Sequence, residues 1–437
     1  MPSVPRVLLI GDGLLANATD RALHEAGADV RRLDEPSDRE IREALDEPID
    51  RVVVVSRFDH VSLRVALVVV HVRPDAAVLV TIFDRDVAAH LHAVADQVHV
   101  LSMADVVAPA FAGPCLEPGL LAVLQGPEGV EGVKAVDGEP RRVPPTWSTR
   151  TRLSRLLTNV DSLLRPFDTS ARILVAGLAG VLGVLAIETV VTMFEAGYSF
   201  VDAFYTVAKV TVTVGPSPAA EHGSTWFKLF SAISMLLTLA FAAVFTAGLV
   251  NRLLDERLTG IVGRSAVPRR DHVIVVGLGQ VGLRLCGLLR DLSVPVVAVE
   301  QNEAAKNVTR AKDQRLPVVI ASGSSQRVLR RLSIDGARAL AAVTSDEVEN
   351  IAIAVAARGV RDDVVVTLRA GDGGLTTEAR SLVQLGIVRD IYEIAGAALA
   401  AAALGHDVHG AFPYDGSVFL IDRDGRIEPF APQDGAG

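Results

Sequence analysis

The chain has 437 residues, half of them hydrophobic and 22% charged, with a mean hydropathy of +0.36, more apolar than a soluble protein of this size and in keeping with lipid-facing helices averaged with globular domains. A net charge of −9 leaves no global basic footprint, which argues against nucleic acid as a partner. The two cysteines, Cys115 and Cys286, are too few and too far apart for a disulfide framework or a zinc site, and both read as small buried side chains.

From Arg6 to about Gly126, short apolar runs (Val7–Ile10, Val52–Val55, Ala77–Ile82) alternate with helical stretches. That alternation predicts a parallel sheet with crossover helices. The first run stops at Gly11-Asp12-Gly13 and is too short to be the apolar region of a cleaved signal peptide. Residues 126–150 are rich in Gly, Pro and charge and read as a linker or a small hairpin leading out of the domain.

Two long apolar runs follow, 173–194 and 229–250, the first with a single charge, Glu188, and the second with none. At a rise of about 1.5 Å per residue each spans about 33 Å, enough to cross a hydrocarbon core of about 30 Å. The alternative is a pair of helices buried in a soluble core, but such helices rarely stay apolar on every face for six turns. Arg141, Arg142, Arg150, Arg152, Arg155, Arg165 and Arg172 precede the first run, and Arg252, Arg257, Arg264, Arg269 and Arg270 follow the second. Between the runs the basic residues are Lys209 and Lys228. The positive-inside rule then predicts a multi-pass protein of the cell membrane with both termini cytoplasmic.

From Asp271 to about Leu404 the strand and helix alternation returns, and the chain closes on a hairpin-like tail with its turn at Asp424-Gly425. The two alternating regions read as copies of one another. Gly11 and Gly277 each open a glycine-rich turn, with an acid 23 residues later at Asp34 and Glu300. Thr81–Asp84 echoes Thr367–Ala370, and residues 102–112 echo 393–403, in the same order.

Val273–Leu283 is a strand followed by Gly277-Leu278-Gly279-Gln280-Val281-Gly282 and a helix. The first glycine permits the tight turn, the second lets backbone amides approach a pyrophosphate, and the third lets helix and strand pack closely. The helix N-terminus offers unpaired N–H groups to the phosphates. Glu300 is placed to hydrogen-bond ribose hydroxyls and would repel a 2′-phosphate, which favours NAD(H) or an adenine nucleotide such as ATP or ADP over NADP. The N-terminal copy has Asp12 in its turn and Ala16 in place of the third glycine, so it reads as degenerate.

Through VVGLGQVG, Glu300, Gly323-Ser324, the run Thr344–Asn350 and Arg369, residues 271–370 resemble an RCK domain (regulator of potassium conductance, also called TrkA-N). The resemblance places the nucleotide on Gly277, Gly279, Gln280, Val281, Gly282, Glu300, Gly323, Ser324 and Thr344. It is weaker for the N-terminal copy, and Ser324 stands where the family commonly has aspartate. Residues 199–218 resemble the pore loop of two-helix potassium channels, with Thr211-Val212-Thr213-Val214-Gly215 similar to the filter TVGYG. In that family, carbonyls from four subunits replace the hydration shell of a monovalent cation, so the resemblance implies a homotetramer in a lipid bilayer.

The match departs at Pro216, Ser217 and Pro218, where the prolines restrict the backbone, so the outer half of a potassium filter is expected to be distorted and potassium selectivity weak. Lys209 adds a cation just before the filter, and either pairs with Glu188 or reaches outward to the headgroups.

The expected architecture is thus a membrane α-helical pore module, two transmembrane helices plus a re-entrant pore helix, flanked by two α/β Rossmann-type (RCK/TrkA-N) cytoplasmic domains. Its expected divisions are 1–125, a degenerate Rossmann domain; 126–170, a linker; 171–252, the pore module with its re-entrant loop at 199–218; 253–270, a linker; 271–404, the RCK domain; and 405–437, a tail. The expected function is a ligand-gated cation channel regulated by nucleotide. The alternatives are a non-conducting membrane sensor or accessory subunit of potassium transport, and an NAD-dependent oxidoreductase. The last is disfavoured because no catalytic constellation accompanies the glycine motif: His406 and His409 lie in a Gly-rich tail and the other histidines are scattered.

Overall fold

A computed structural model describes residues 4–95, 97–126, 129–145, 169–213, 218–254, 268, 270–371 and 386–430. The chain divides into two compact units, Met1–Arg152 with Pro268–Gly437, and Leu153–Val267.

The first unit holds two Rossmann-type lobes. The N-terminal lobe runs β1 (Arg6–Gly11), α1 (Gly13–Glu25), β2 (Asp29–Leu33), α2 (Asp38–Leu45), β3 (Arg51–Val55), α3 (Asp59–Val72), β4 (Ala77–Thr81), α4 (Arg85–Val94), β5 (Val98–Leu101) and α5 (Met103–Leu116). Its sheet is parallel, in the order β2-β1-β3-β4-β5. Leu8, Leu9, Val52, Val53 and Val80 are all fully buried, on both faces of the sheet, which is why these strands read as continuous apolar runs. Helix starts are written into the sequence: Ser37 and Glu40 form a capping box on α2, and the Asp84 carboxylate caps α4. After α5, β6 (Leu120–Gly126), β7 (Gly129–Val136) and β8 (Glu139–Val143) form an antiparallel sheet.

The C-terminal lobe repeats the plan with β9 (His272–Val276), β10 (Val296–Glu300), β11 (Val318–Ile320), β12 (Ala337–Ala342), β13 (Val365–Ala370) and β14 (Ile387–Asp390). Their parallel order is β11-β10-β9-β12-β13-β14, the N-terminal order with one more strand at the edge. Thr81–Asp84 and Thr367–Ala370 therefore fall at the ends of matched strands, the first running from the last residue of β4 into the turn beyond it and the second closing β13. The helices of this lobe are α9 (Gln280–Asp291), α10 (Lys306–Asp313), α11 (Gln326–Arg331), α12 (Glu347–Arg358) and α13 (Ile391–Ala403), with α6 to α8 belonging to the second unit.

The last helix of each lobe is exchanged. Helix α5 packs on α9, so that Val107, Phe111 and Cys115 share one core with Leu285, Cys286 and Leu289. Helix α13 packs on α1, where a Cβ on Gly396 would lie 2.7 Å from the backbone of Ala18, and Leu399 and Ala400 join the core under β1 and β3. The fully buried Phe111 alone contributes about 2–3 kcal/mol of apolar burial. Arg389, at the end of β14, is 8% exposed and donates to the carbonyls of Ala110 and Leu121, and burial pushes its guanidinium down to about 10.

Of the two readings of 126–150, a linker or a small hairpin, the described residues take the hairpin: β7 and β8 pair with one another, and β7 pairs with β6 and buries Val133 against Leu120 and Val123, so the 126–170 stretch is not linker throughout. The tail expected over 405–437 contains β15 (Gly410–Tyr414), β16 (Ser417–Ile421) and β17 (Ile427–Pro429), an antiparallel sheet that inserts Ala411, Phe412 and Ile421 into the shared core. Its β16–β17 turn does fall at Asp424-Gly425, with Gly425 at φ +74°.

Cys115 and Cys286 are both fully buried, and burial pushes each thiol up to about 12. At pH 8 the thiolate fraction is then about 10⁻⁴. Neither is expected to react with Ellman's reagent in the native protein, and both are expected to react in denaturant. Fast native labelling of either would contradict the shared core.

The second unit contains α6 (Thr169–Ala196), α7 (Phe200–Thr213), a single turn at Pro218–Glu221, and α8 (Thr225–Leu254). Helices α6 and α8 run antiparallel and pack through glycines: a Cβ on Gly177 would lie 2.6 Å from the Phe245 nitrogen, one on Gly180 2.3 Å from the Phe241 ring, and one on Gly248 3.0 Å from Leu174. Small residues at such contacts let two apolar helices approach until their backbones touch. Ile173–Ala196 and Thr225–Val250 are both long and apolar enough to cross a membrane. Their outward faces, including Leu182, Ile187, Phe194, Leu229, Leu236 and Leu239, are exposed in the single chain.

Candidate functional site

Between β9, β10, β12 and β13 of the C-terminal lobe lies a cleft of about 710 Å³ at the carboxyl ends of the strands. That is where open α/β sheets bind ligands. The three glycines of the loop meet three different environments. Gly277 has φ +99°, and a Cβ there would lie 2.8 Å from the Thr344 nitrogen. A Cβ on Gly282 would sit 1.9 Å from the Gly277 carbonyl oxygen, so helix and strand can pack only around a bare Cα. A Cβ on Gly279 would meet nothing within 4 Å. Gly279 is therefore not demanded by the protein's own packing, and it caps α9 with no side-chain hydrogen bond. The first amides of that helix have no intrahelical acceptor.

Glu300 closes one wall. Its carboxylate accepts from the Leu278 amide at 2.9 Å and the Asn302 amide at 3.0 Å, which fixes it beside the glycine loop. Asn307 donates to the Leu278 carbonyl at 3.0 Å, tying α10 to the same loop. On the far wall, Asn350, 1% exposed, accepts from the Thr344 amide and hydroxyl and donates to the carbonyls of Thr344 and Arg369. It holds the ends of β12 and β13 at one height. Arg369 and Lys306 bring positive charge to the rim, and Glu349 brings a carboxylate.

Of the residues expected to bind nucleotide, Gly277, Gly279, Glu300, Gly323 and Thr344 line this cleft. Gln280, Val281, Gly282 and Ser324 do not: Val281 is buried in the core, Gly282 is a packing glycine, and Ser324 hydrogen-bonds Ser322 at 2.9 Å. A Cβ on Gly323 would lie 2.2 Å from Val276, so this glycine too is required by packing. Asn302, Lys306 and Asn307 also line the cleft and carry no sequence signal, whereas Leu278, Ser345, Glu349 and Arg369, which line it too, fall within the runs that carry the resemblance.

In the N-terminal lobe the equivalent turn keeps Gly11 at φ +153° and Gly13 at φ +77°, but Asp12 is exposed within it, and Asp34 pairs with Arg32 at 2.8 Å rather than with the loop. A larger cleft of about 1350 Å³ opens between this lobe and residues 405–425. Several of its charged groups pair within the protein: Arg85 and Arg284 with Asp105, Arg142 with Glu131 and Arg423 with Asp407.

In the second unit, α7 runs through Thr213. Thr211, Val212 and Thr213 are therefore helical, with the Thr211 hydroxyl donating to the Val207 carbonyl at 2.9 Å, and do not form the extended ribbon that a TVGYG-like filter implies. Val214 and Gly215 lie outside the described residues. Glu188 is buried in α6.

Residues 273–388 match the TrkA-N domain family. Two proteins of Methanocaldococcus jannaschii are similar to the chain. Potassium channel protein 1 is 23% identical over 241 residues, 53% of this chain and 71% of that protein, and probable potassium channel protein 2 is 19% identical over 213 residues, 47% of this chain and 61% of that protein. Among solved structures, the GsuK channel superposes with a TM-score of 0.51 at 11% identity, covering 92% of this chain and 64% of that one. The chain is similar to potassium channel proteins and carries a TrkA-N (RCK) domain of Rossmann-like fold.

Proposed function

We propose that this potassium-channel-like chain, whose TrkA-N domain spans residues 273–388, is a membrane protein of the ligand-gated cation channel class, controlled by a nucleotide bound in the C-terminal lobe. One observation carries the ligand: Gly279 faces open space while Gly277 and Gly282 are pinned by packing, so the middle glycine answers to something the chain itself does not supply. A diphosphate approaching the α9 amides fits that space, and Glu300 beside it favours an unmodified ribose over a 2′-phosphate, hence NAD(H), ADP or ATP. The ligand acts as an effector rather than as a substrate or a turned-over cofactor.

The membrane reading draws on α6 and α8, each apolar on all faces, and on the arginine bias that puts both termini in the cytoplasm. Four copies would surround a path for a monovalent cation, and the stretch between Leu254 and His272 would join the nucleotide domain to the second membrane helix. Ligand binding shifts opening only if the open and closed states differ in affinity. A second reading, a non-conducting sensor or accessory subunit, is favoured by the helical Thr211–Thr213 and by Pro216 and Pro218.

Thermal shift of the detergent-purified full chain tests the ligand. NADH, ADP or ATP is expected to raise the midpoint, with NADPH at least tenfold weaker, and Glu300→Ala is expected to weaken the preferred nucleotide about tenfold. No shift with any of them would defeat the nucleotide assignment. Ion flux in liposomes then separates the readings: nucleotide-dependent flux supports a channel, and absence of flux under every ligand supports the sensor. Reversal potentials are expected to show weak potassium selectivity, whereas a strong preference for potassium over sodium would overturn that expectation. Substrate-dependent reduction of NAD would revive an oxidoreductase.

A further inference from the structure

The two helices that border the nucleotide cleft are both anchored on one turn of the other lobe. Helix α9 begins at the glycine loop, and its Arg284 donates to the Phe83 carbonyl at 2.7 Å, pairs with Asp105 at 3.1 Å and lies 4.8 Å from the centre of the Phe83 ring. Helix α10 begins with Lys306 and Asn307, which line the cleft, and its Arg310 pairs with Asp84 and lies 5.9 Å from the same ring. The turn they grip is itself fixed. Asp59 accepts from the amides of Phe83 and Asp84, both at 3.0 Å, while the Asp84 carboxylate caps α4 through the amides of Asp86 and Val87. Burial pushes the Asp84 carboxyl up, but those amides and the Arg310 guanidinium outweigh it and leave the group below its ordinary range. It is therefore a carboxylate at neutral pH.

In the internal repeat Phe83 corresponds to Arg369, the rim residue of the C-terminal cleft. The degenerate lobe thus has an aromatic ring where the C-terminal cleft has its rim arginine, and both arginines lie against that ring. Helix α10 spans only Lys306–Asp313, and beyond the Asn307–Leu278 hydrogen bond it is held by two buried residues, Val308 and Ala311. Arg310, one turn on, adds an anchor to the other lobe.

We propose that Phe83 and Asp84 are positioning residues for nucleotide binding: through Arg284 and Arg310 the degenerate lobe holds α9 and α10 in the geometry that the C-terminal cleft needs. The inference rests on the nucleotide reading above. By linkage, whatever loosens the turn weakens the nucleotide, and a bound nucleotide tightens the grip of one lobe on the other by the same factor.

The test uses the full-length protein in detergent, with mant-ADP and NADH as probes. Asp84→Asn is expected to weaken the preferred probe about five- to tenfold, and Asp84→Arg or Arg310→Asp at least as much. Arg310→Gln is expected to weaken it as much, and Asp84→Asn combined with Arg310→Gln no more than either alone, because asparagine still caps α4 and only the shared pair is lost; unrelated losses of stability would instead add. Without nucleotide, hydrogen exchange at the amides of 306–313 is expected to rise in Asp84→Asn. Wild-type affinity together with wild-type exchange in Asp84→Asn, or additive losses in the double variant, would overturn the proposal. If the wild-type chain binds neither probe, the nucleotide reading fails first and this one falls with it.

Discussion

Replacing Gly279 with aspartate is expected to cost at least about 100-fold in nucleotide affinity while leaving the melting temperature of the ligand-free protein nearly unchanged. A Cβ at this position meets no protein atom within 4 Å, and the residue sits at φ −65° and ψ −172°, a backbone conformation open to any side chain. The fold therefore accepts the substitution at a cost within about 1 kcal/mol. The carboxylate, however, would project from the cap of α9 into the space proposed for the diphosphate. Two like-charge pairs at about 5 Å, in an effective dielectric of about 40, oppose binding by about 3 kcal/mol, and the displaced phosphate also loses its helix amides. Isothermal titration calorimetry against NADH and ADP reads the loss, and a melt without ligand reads the fold. Undiminished binding in Gly279→Asp would place the ligand elsewhere. Gly282→Ala makes the opposite case, because its Cβ would lie 1.9 Å from the Gly277 carbonyl and so must damage the fold before any ligand arrives.

The division of labour among these glycines explains what could be read in advance. The GxGxxG spacing is legible because each glycine answers a steric demand, and a carboxylate 23 residues from the first is legible because the next parallel strand ends there. The repeat was legible too, since matched strands β4 and β13 end in echoing residues. What escaped were features decided by distant partners. Residues 102–112 and 393–403, read as echoing stretches, fall at the last helix of each lobe, but nothing in either says that it covers the other lobe's first helix. Hairpins were legible at 126–150 and around Asp424-Gly425, but not that these short strands, carrying glycine, proline and charge, hold together because Val133, Phe412 and Ile421 find an existing core. The Arg310–Asp84 pair joins positions 226 residues apart, and a charge pair of that range leaves no local trace. At Thr211–Thr213 the likeness to a filter pointed to an extended ribbon, whereas the structure continues the helix, with Thr211 bonding back to Val207.

Substituting leucine at Gly177 is expected to break the pairing of α6 with α8, while leucine at Gly183, two turns along the same helix, is expected to be tolerated. The contrast comes from what each position faces. The Gly177 Cβ would lie 2.6 Å from the backbone nitrogen of Phe245, and backbone cannot swing aside as a side chain can, whereas at Gly183 nothing lies within 4 Å. Even a methyl group at Gly177 needs the axes to part by about 1 Å, and leucine needs more. Separation of that size forfeits a quarter to a half of the dispersion between the facing atoms. In lipid there is little hydrophobic drive to restore it, because acyl chains solvate the freed surface as well as another helix does. The contacts Gly180 to Phe241 and Gly248 to Leu174 lie on the same seam, so the loss spreads along it and should reach about 1–3 kcal/mol. The measurement is the melting midpoint and size-exclusion profile in detergent. Gly177→Leu is expected to melt several degrees lower and to lose its monodisperse peak, with Gly183→Leu matching the wild type. Equal behaviour of the two variants would show that the seam is not where α6 and α8 meet.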